Sequence, residues 1–542
     1  MNSVDVLLVL PPMYHSGRVP DYNPKEPLGL MYLAAYLRKC GFTVEVLDAD
    51  LKALSIADTV DTILKSNALI IGFSTLQRAL PSVKLVIDLL RENHCSAHIC
   101  FGGFSATLSA KHILREIGGV DSIVLGEGEL VFSELVSALI KGRAWQNVPG
   151  LAYRRGDGVF FNGKSEKPDV NFLPDPARDL LPLCFEKTGY ATILSSRGCY
   201  GNCTFCSNSS FEKFSNGCNW RGRNPIAVVD EIEYLHKKFG INAFKFNDPN
   251  VFGPGRSGRD HVVQICHQLL NRKMALSLMA FCRGNDLDPE VAELMRRAGF
   301  ERLLLGIETS DPIAMNNFKK GESIAVIRRA ISIMRKAKID LVAGFMIFNP
   351  YTTIKTLKSD LSFLEENTLY PTLAKALRVF DGTPIQDVLA AEGQLIWKSP
   401  FEGYHEYLVD PDIAAIYMSL KIFSIKWIDS FFKDCQSAIW EMKKAGTFNG
   451  RSDYYEFGRL IFRFNSIMLK ALISWTENGF SYVDICSHTN KMKNEFNRIR
   501  AHLGIGGGNG GLKVKEISDE VHSILKSKNI ETFPEKYRWN DD

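Results

Sequence analysis

The chain has 542 residues, too many for one hydrophobic core and enough for two to four domains. Its 45% hydrophobic and 23% charged content is that of an ordinary globular protein, and a net charge of +4 argues against a strong nucleic-acid footprint. No run of 18 uninterrupted apolar residues marks a membrane span, and Met1-Asn2-Ser3-Val4-Asp5 lacks the basic start of a secretory signal, so the twelve cysteines read as reduced thiols in a cytoplasm.

Residues 1–145 alternate short apolar runs with amphipathic stretches. Strands are predicted at 4–10, 43–47, 68–73, 98–101 and 122–125, and helices at 28–39, 81–92 and 130–141. This alternation predicts an α/β domain built on a doubly wound parallel sheet. Ligands of such sheets sit beyond the carboxyl ends of the strands. The segments there read Leu10-Pro11-Pro12, Ser74-Thr75-Leu76, Gly102-Gly103-Phe104-Ser105 and Gly126-Glu127-Gly128-Glu129. Residues 146–184 read as a hairpin, over 150–154 and 159–161, and a linker carrying Pro168, Pro174, Pro176 and Pro182.

A second βα series spans 185–397. Its strands are predicted at 190–195, 243–247, 276–281, 302–307, 340–348 and 373–379, with helices such as 226–238, 289–297 and 323–336 between them. Six such units predict a partial (β/α)6 barrel, open on one side. Beyond residue 398 the strand signal fades. Ile416, Leu420, Phe423, Trp427 and Phe431 recur at helical spacing, which predicts a helical C-terminal domain over 398–542 with this helix packed on the barrel. The glycines of 504–511 read as a joint before a last helix.

The first strand of the second series delivers Ser196-Arg197-Gly198-Cys199-Tyr200-Gly201-Asn202-Cys203-Thr204-Phe205-Cys206-Ser207. A C-x3-C-x2-C run places three thiolates on one short loop, close enough to grip one face of a cubane iron–sulfur cluster. Most 4Fe–4S sites use four cysteines, so three leave one iron open for chemistry. The competing reading is a zinc knuckle with Cys218 as fourth ligand, although no second C-x2-C pair follows. Arg197 beside the loop is expected to lower the thiol pKa values.

The cysteine loop, with Phe205 just before its last cysteine, resembles the signature of the radical S-adenosylmethionine (SAM) superfamily. The front half adds Pro11-Pro12, Pro27-Leu28-Gly29-Leu30, Tyr32-Leu33-Ala34-Ala35-Tyr36-Leu37 and Ile71-Gly72-Phe73-Ser74-Thr75. It also adds Gly102-Gly103, and Gly126-Glu127-Gly128-Glu129 with Phe132 and Leu135. Over residues 1 to about 380 the chain thus resembles the cobalamin-binding radical SAM enzymes. The resemblance implies a 4Fe–4S cluster on Cys199, Cys203 and Cys206, and cobalamin held by Pro11, Ser74, Thr75, Gly102, Gly103, Gly126 and Glu127, with residues 74–78 beneath the corrin. It implies SAM beside Phe205, with Asp248 near its amino group and Arg283, Glu308 and Thr309 near its carboxylate and ribose. Phe205 reads equally as a ring packed under the loop, and the last three as structural partners. Many cobalamin domains carry Asp-x-His-x-x-Gly after the first strand; here Pro11-Pro12-Met13-Tyr14-His15-Ser16-Gly17 departs from it, so His15 reads as a surface loop residue. Asn349-Pro350-Tyr351-Thr352-Thr353 stands where relatives carry Pro-Gly-Glu-Thr, with Thr352 or Thr353 left to cap the next helix.

The implied activity is methyl transfer to a poorly activated carbon or phosphorus, by way of a 5′-deoxyadenosyl radical and methylcobalamin. Two alternatives remain: ring formation, contraction or oxidation without methyl transfer, and a cobalamin-binding sensor or partner-binding protein with a vestigial cluster. The expected partners are a small-molecule or peptide substrate and a one-electron reductant such as flavodoxin or ferredoxin. Nucleic acid is not expected.

Overall fold

In this computed structural model, residues 4–13, 26–424, 450–478 and 537–538 are described. Strands β1 (Val6–Leu10), β2 (Val44–Asp48), β3 (Ile70–Ser74), β4 (His98–Gly102) and β5 (Ser122–Val124) form a parallel sheet in the order β2-β1-β3-β4-β5. All five residues of β1 are buried, as expected of a strand covered by helices on both faces. Helix Leu28–Lys39 closes one face with Leu30, Met31, Ala34 and Leu37, and ends on Arg38 and Lys39, where cations suit the helix dipole. A capping box of Ser55 and Asp58 starts helix Ile56–Ser66. The hairpin β6 (Leu151–Arg155) and β7 (Gly158–Phe161) pairs antiparallel onto β5. The predicted hairpin therefore completes the front sheet.

The second sheet runs in chain order: β8 (Ala191–Ile193), β9 (Ala243–Phe246), β10 (Ser277–Cys282), β11 (Phe300–Glu308) and β12 (Asp340–Phe345), all parallel. The sixth unit survives as a single bridge, Phe348 to Ala376, with the Leu377 amide donating to the Phe348 carbonyl at 2.9 Å. Within the predicted strand Leu373, Leu377 and Val379 are buried. The segment meets the chain only beyond the end of β12, so no ladder extends.

Helices Pro411–Phe423 and Gly450–Asn478 pack on the barrel core, with Tyr417 against Phe348 and Phe462 against Tyr370 at ring-centroid distances of 5.1 and 5.5 Å. This region also holds short antiparallel strands, Leu395–Ile396, Glu406–Val409 and Tyr537–Arg538. Tyr407, Leu408 and Val409 favour a pleated surface, which a purely helical reading passed over. His15, Trp427, Phe431 and the glycines of 504–511 lie outside the described residues. No described helix is long and apolar enough to cross a membrane.

Candidate functional site

A cavity of about 590 Å³ lies between the carboxyl ends of the front strands and the cysteine loop. Its front wall includes Gly29, Tyr32, Ser74, Thr75, Gly102, Gly103, Gly126 and Glu127. Its back wall includes Ser196, Arg197, Gly198, Asn208 and Asp248. A Cβ added at Gly29 or Gly102 would meet nothing within 4 Å, so at both positions it is the cavity that gains room from the bare backbone. Gly126 is different. Its φ of +79° and a Cβ that would lie 2.3 Å from Ser215 Oγ require glycine for the turn itself. Pro11 is buried behind the sheet end and is not part of the lining. Thr75 is fully buried and donates through its amide and hydroxyl to the Gly102 carbonyl at 2.9 and 3.2 Å, fixing the two strand ends together.

Two charged residues of the front loop are committed to the other domain. Arg197 contacts Glu127 at 2.9 Å and Glu129 at 2.6 Å, and its guanidinium stacks 4.8 Å from the Tyr32 ring. Arg221 pairs with Arg197 across a short antiparallel ladder and also holds Glu127. Burial opposes ionisation of Glu127, but the two arginines outweigh it and hold its carboxyl below the usual range. Glu127 lines the cavity and is at the same time half of an inter-domain clamp. Sequence reasoning missed Arg221, Glu129 and Tyr32, whose buried hydroxyl faces no hydrogen-bond partner among the described residues.

The loop that carries the cysteines is fastened from below. Buried Asp248 accepts from the Ser195 amide at 3.1 Å, the Ser195 hydroxyl at 2.8 Å and the Ser196 hydroxyl at 2.6 Å. Burial pushes its pKa up, and the serine donors oppose the shift. The Gly201 amide donates to Cys199 Sγ at 3.3 Å, Asn208 to Cys206 Sγ at 3.7 Å, and Arg283 Nη1 to Cys203 Sγ at 3.5 Å. Burial raises the Cys199 and Cys206 thiols, and a bound metal favours the thiolate form. Arg283, not Arg197, is the cation that opposes this shift at Cys199. No three His, Cys, Asp or Glu side chains among the described residues form a ready-made site for one ion. Cys218 is exposed on a separate loop, whose carbonyls meet Lys167.

Two family models match in turn: the B12 binding domain over residues 22–136, and the radical SAM superfamily over residues 193–364. The chain belongs to the cobalamin-binding radical SAM enzymes. Cobalamin, SAM and a 4Fe–4S cluster are the cofactors of this enzyme. It is 28% identical over 374 residues to an uncharacterized methyltransferase of Pyrococcus horikoshii, covering 68% of this chain and 79% of the relative. It is also 28% identical to the anaerobic magnesium-protoporphyrin IX monomethyl ester cyclase of Synechocystis sp., covering 62% of this chain and 67% of that one. The solved structure of the cobalamin-dependent SAM radical enzyme OxsB, with aqua-cobalamin bound, shares the fold. Its TM-score is 0.71 at 18% identity, over 98% of this chain and 81% of that one.

The residues of this radical SAM enzyme fit their cofactors unevenly. The bare backbone at Gly29 and Gly102, and the orphaned Tyr32 hydroxyl, suit a bulky polar-rimmed group in the cavity. Of the residues expected to hold SAM, only Asp248 reaches this cavity. Phe205 packs edge-on to Phe318 at 5.1 Å, the bland one of its two readings. Thr309 is buried and turned to Asp360 at 3.4 Å, so a ribose contact does not fit its position. Arg283 directs one terminal nitrogen to Cys203 and the other to the Lys320 carbonyl. Glu308 has a φ of +71° at an irregularity in the β11–β12 register, a strained position for a non-glycine residue, and lies 3.5 Å from Lys320. Thr353 caps helix Ile354–Glu366 in a box with Thr356, so the turn survives without the family's glycine and glutamate.

Proposed function

We propose that this enzyme is a methyltransferase acting on a poorly activated carbon or phosphorus of a small-molecule or peptide substrate. The observation that carries the reading is a cavity walled by both domains, with Gly102 and Gly103 on one side and Ser196, Arg197 and Gly198, which lead into the cysteines, on the other. The methyltransferase relative, aligned over 374 residues, supports it.

When bound, the cofactors supply one-electron cleavage of SAM and carriage of the methyl group. The chain's own work is placement. Asp248 fixes the entry of the cysteine loop through Ser195 and Ser196. Arg197 and Arg221 hold that loop to Glu127 and Glu129, and so set the two halves at one separation. The bare backbone at Gly102 lets a large planar group lie close to the sheet. No general acid or base is required. The electron comes from a partner such as flavodoxin or ferredoxin. The ten cysteines of the described residues are all unbridged.

The cyclase relative, at the same 28% identity, favours a second reading: ring formation or oxidation without methyl transfer. Methyl-deuterated SAM with candidate acceptors separates the two. A labelled product together with S-adenosylhomocysteine supports methyl transfer. An unlabelled cyclised or oxidised product, with 5′-deoxyadenosine alone, overturns it.

A further inference from the structure

We infer that Arg283 tunes the cluster: it holds a positive charge against the Cys203 sulfur and thereby raises the reduction potential of the 4Fe–4S centre. The inference rests on the reading of Cys199, Cys203 and Cys206 as the cluster ligands, and assigns Arg283 a positioning role through Cys203.

The guanidinium is fixed in place from several sides. Nη1 donates to Cys203 Sγ at 3.5 Å, Nη2 donates to the Lys320 carbonyl, and the Tyr200 ring lies 5.5 Å from Cζ. The loop closes over it so tightly that a Cβ at Gly201 would fall 2.5 Å from Nη1. The nearest carboxylate, Glu322, is 4.0 Å away and already engaged. It meets Lys320 at 2.9 Å and accepts from the Asn285 amide at 2.8 Å. The closest anionic atom to the guanidinium is therefore the Cys203 thiolate. Arginine does not lose its proton in proteins, so the charge is permanent. Its side chain is 11% exposed, so solvent screens it weakly.

A 2+ cubane with three thiolates carries net charge −1. One electron from a one-electron reductant takes the core to 1+ and the net charge to −2; no bond breaks and no proton moves. Charge and hydrogen bonds at the cluster sulfurs set such potentials. A fixed cation at Cys203 favours the more negative state, which is the one that cleaves SAM. Glu322, behind the guanidinium, acts with opposite sign.

The test is an anaerobic redox titration of the full chain with its cluster reconstituted, without SAM, followed by the EPR signal of the reduced centre. Arg283→Gln is expected to lower the reduction equilibrium constant about tenfold, ~59 mV to the negative for a one-electron couple. Arg283→Lys, which keeps the charge, recovers part of that shift, and Glu322→Gln moves the potential the other way. An unchanged potential in Arg283→Gln, with weakened SAM binding, overturns the inference and makes Arg283 a SAM ligand. Where Arg283→Gln fails to assemble its cluster, Glu322→Gln decides, and no positive shift there overturns the inference. Iron and sulfide counts on the unaltered chain keep the cases apart, because a chain without a cluster refutes the cysteine assignment, not the tuning.

Discussion

Arg197 lies 2.6 Å from Glu129, although one residue leads into the cysteine loop and the other opens helix Gly128–Ile140 of the cobalamin-binding domain. The carboxylate is 5% exposed and the guanidinium 14%, so the pair sits in a low-dielectric seam. Removing one partner leaves a buried charge uncompensated, which typically costs about 3–5 kcal/mol. Arg197→Ala is therefore expected to lower stability by about that amount, read from urea unfolding. Arg221→Ala should cost less, because Glu127 keeps Arg197. A double-mutant cycle of Arg197→Ala with Glu129→Ala should show strong coupling; additive losses would mean that the seam does not behave as a clamp.

Gly102 and Gly126 should respond oppositely to alanine. At Gly102 the new methyl group meets nothing within 4 Å but enters the cavity, so Gly102→Ala should leave the melting temperature nearly unchanged and weaken cobalamin retention. At Gly126 the positive φ and the Ser215 hydroxyl both oppose a side chain, so Gly126→Ala should cost roughly 1–3 kcal/mol. Thermal melts of the two variants, with cobalamin content after gel filtration, check the pair.

Those two glycines also show what chain order reveals. Both stand at predicted strand ends, and that much was legible from βα alternation. Helix Leu28–Lys39 was legible to its last residue, because its apolar spacing stops where the basic residues begin. The three cysteines were legible because all lie within one short loop. Pairing across domains was not. Nothing local to Glu127 says that it meets Arg197 and Arg221, since a loop carboxylate reads equally as a ligand contact, a surface charge or a buried partner. Likewise, the apolar residues of 373–379 report burial, not whether a neighbouring strand extends far enough to pair.

Three buried acids, Asp360, Asp48 and Glu26, predict a pH effect. Burial pushes Asp360 and Asp48 up to about 6 and Glu26 to about 7. Such a group binds its proton more tightly folded than unfolded, so it favours the fold at low pH. That contribution is lost as pH rises from ~4, the unfolded value, through the folded one. For Asp360 the window runs up to about 6. Asp360→Asn, still able to accept from the Ser310 amide and hydroxyl, should flatten the stability profile across that window. Urea midpoints measured from pH 4 to 7 give the answer, and an unchanged slope would show that Asp360 titrates normally.

The central claim is that the cysteine loop holds a cluster that cleaves SAM beside a cobalamin-bearing wall. Its most direct test uses protein purified without oxygen, reconstituted with iron, sulfide and cobalamin, and given SAM and a strong one-electron reductant. The unaltered chain should release 5′-deoxyadenosine, while Cys203→Ala should release none yet keep the cobalamin spectrum unchanged. Equal 5′-deoxyadenosine from both proteins, or none from a fully clustered unaltered chain offered candidate substrates, would contradict the account.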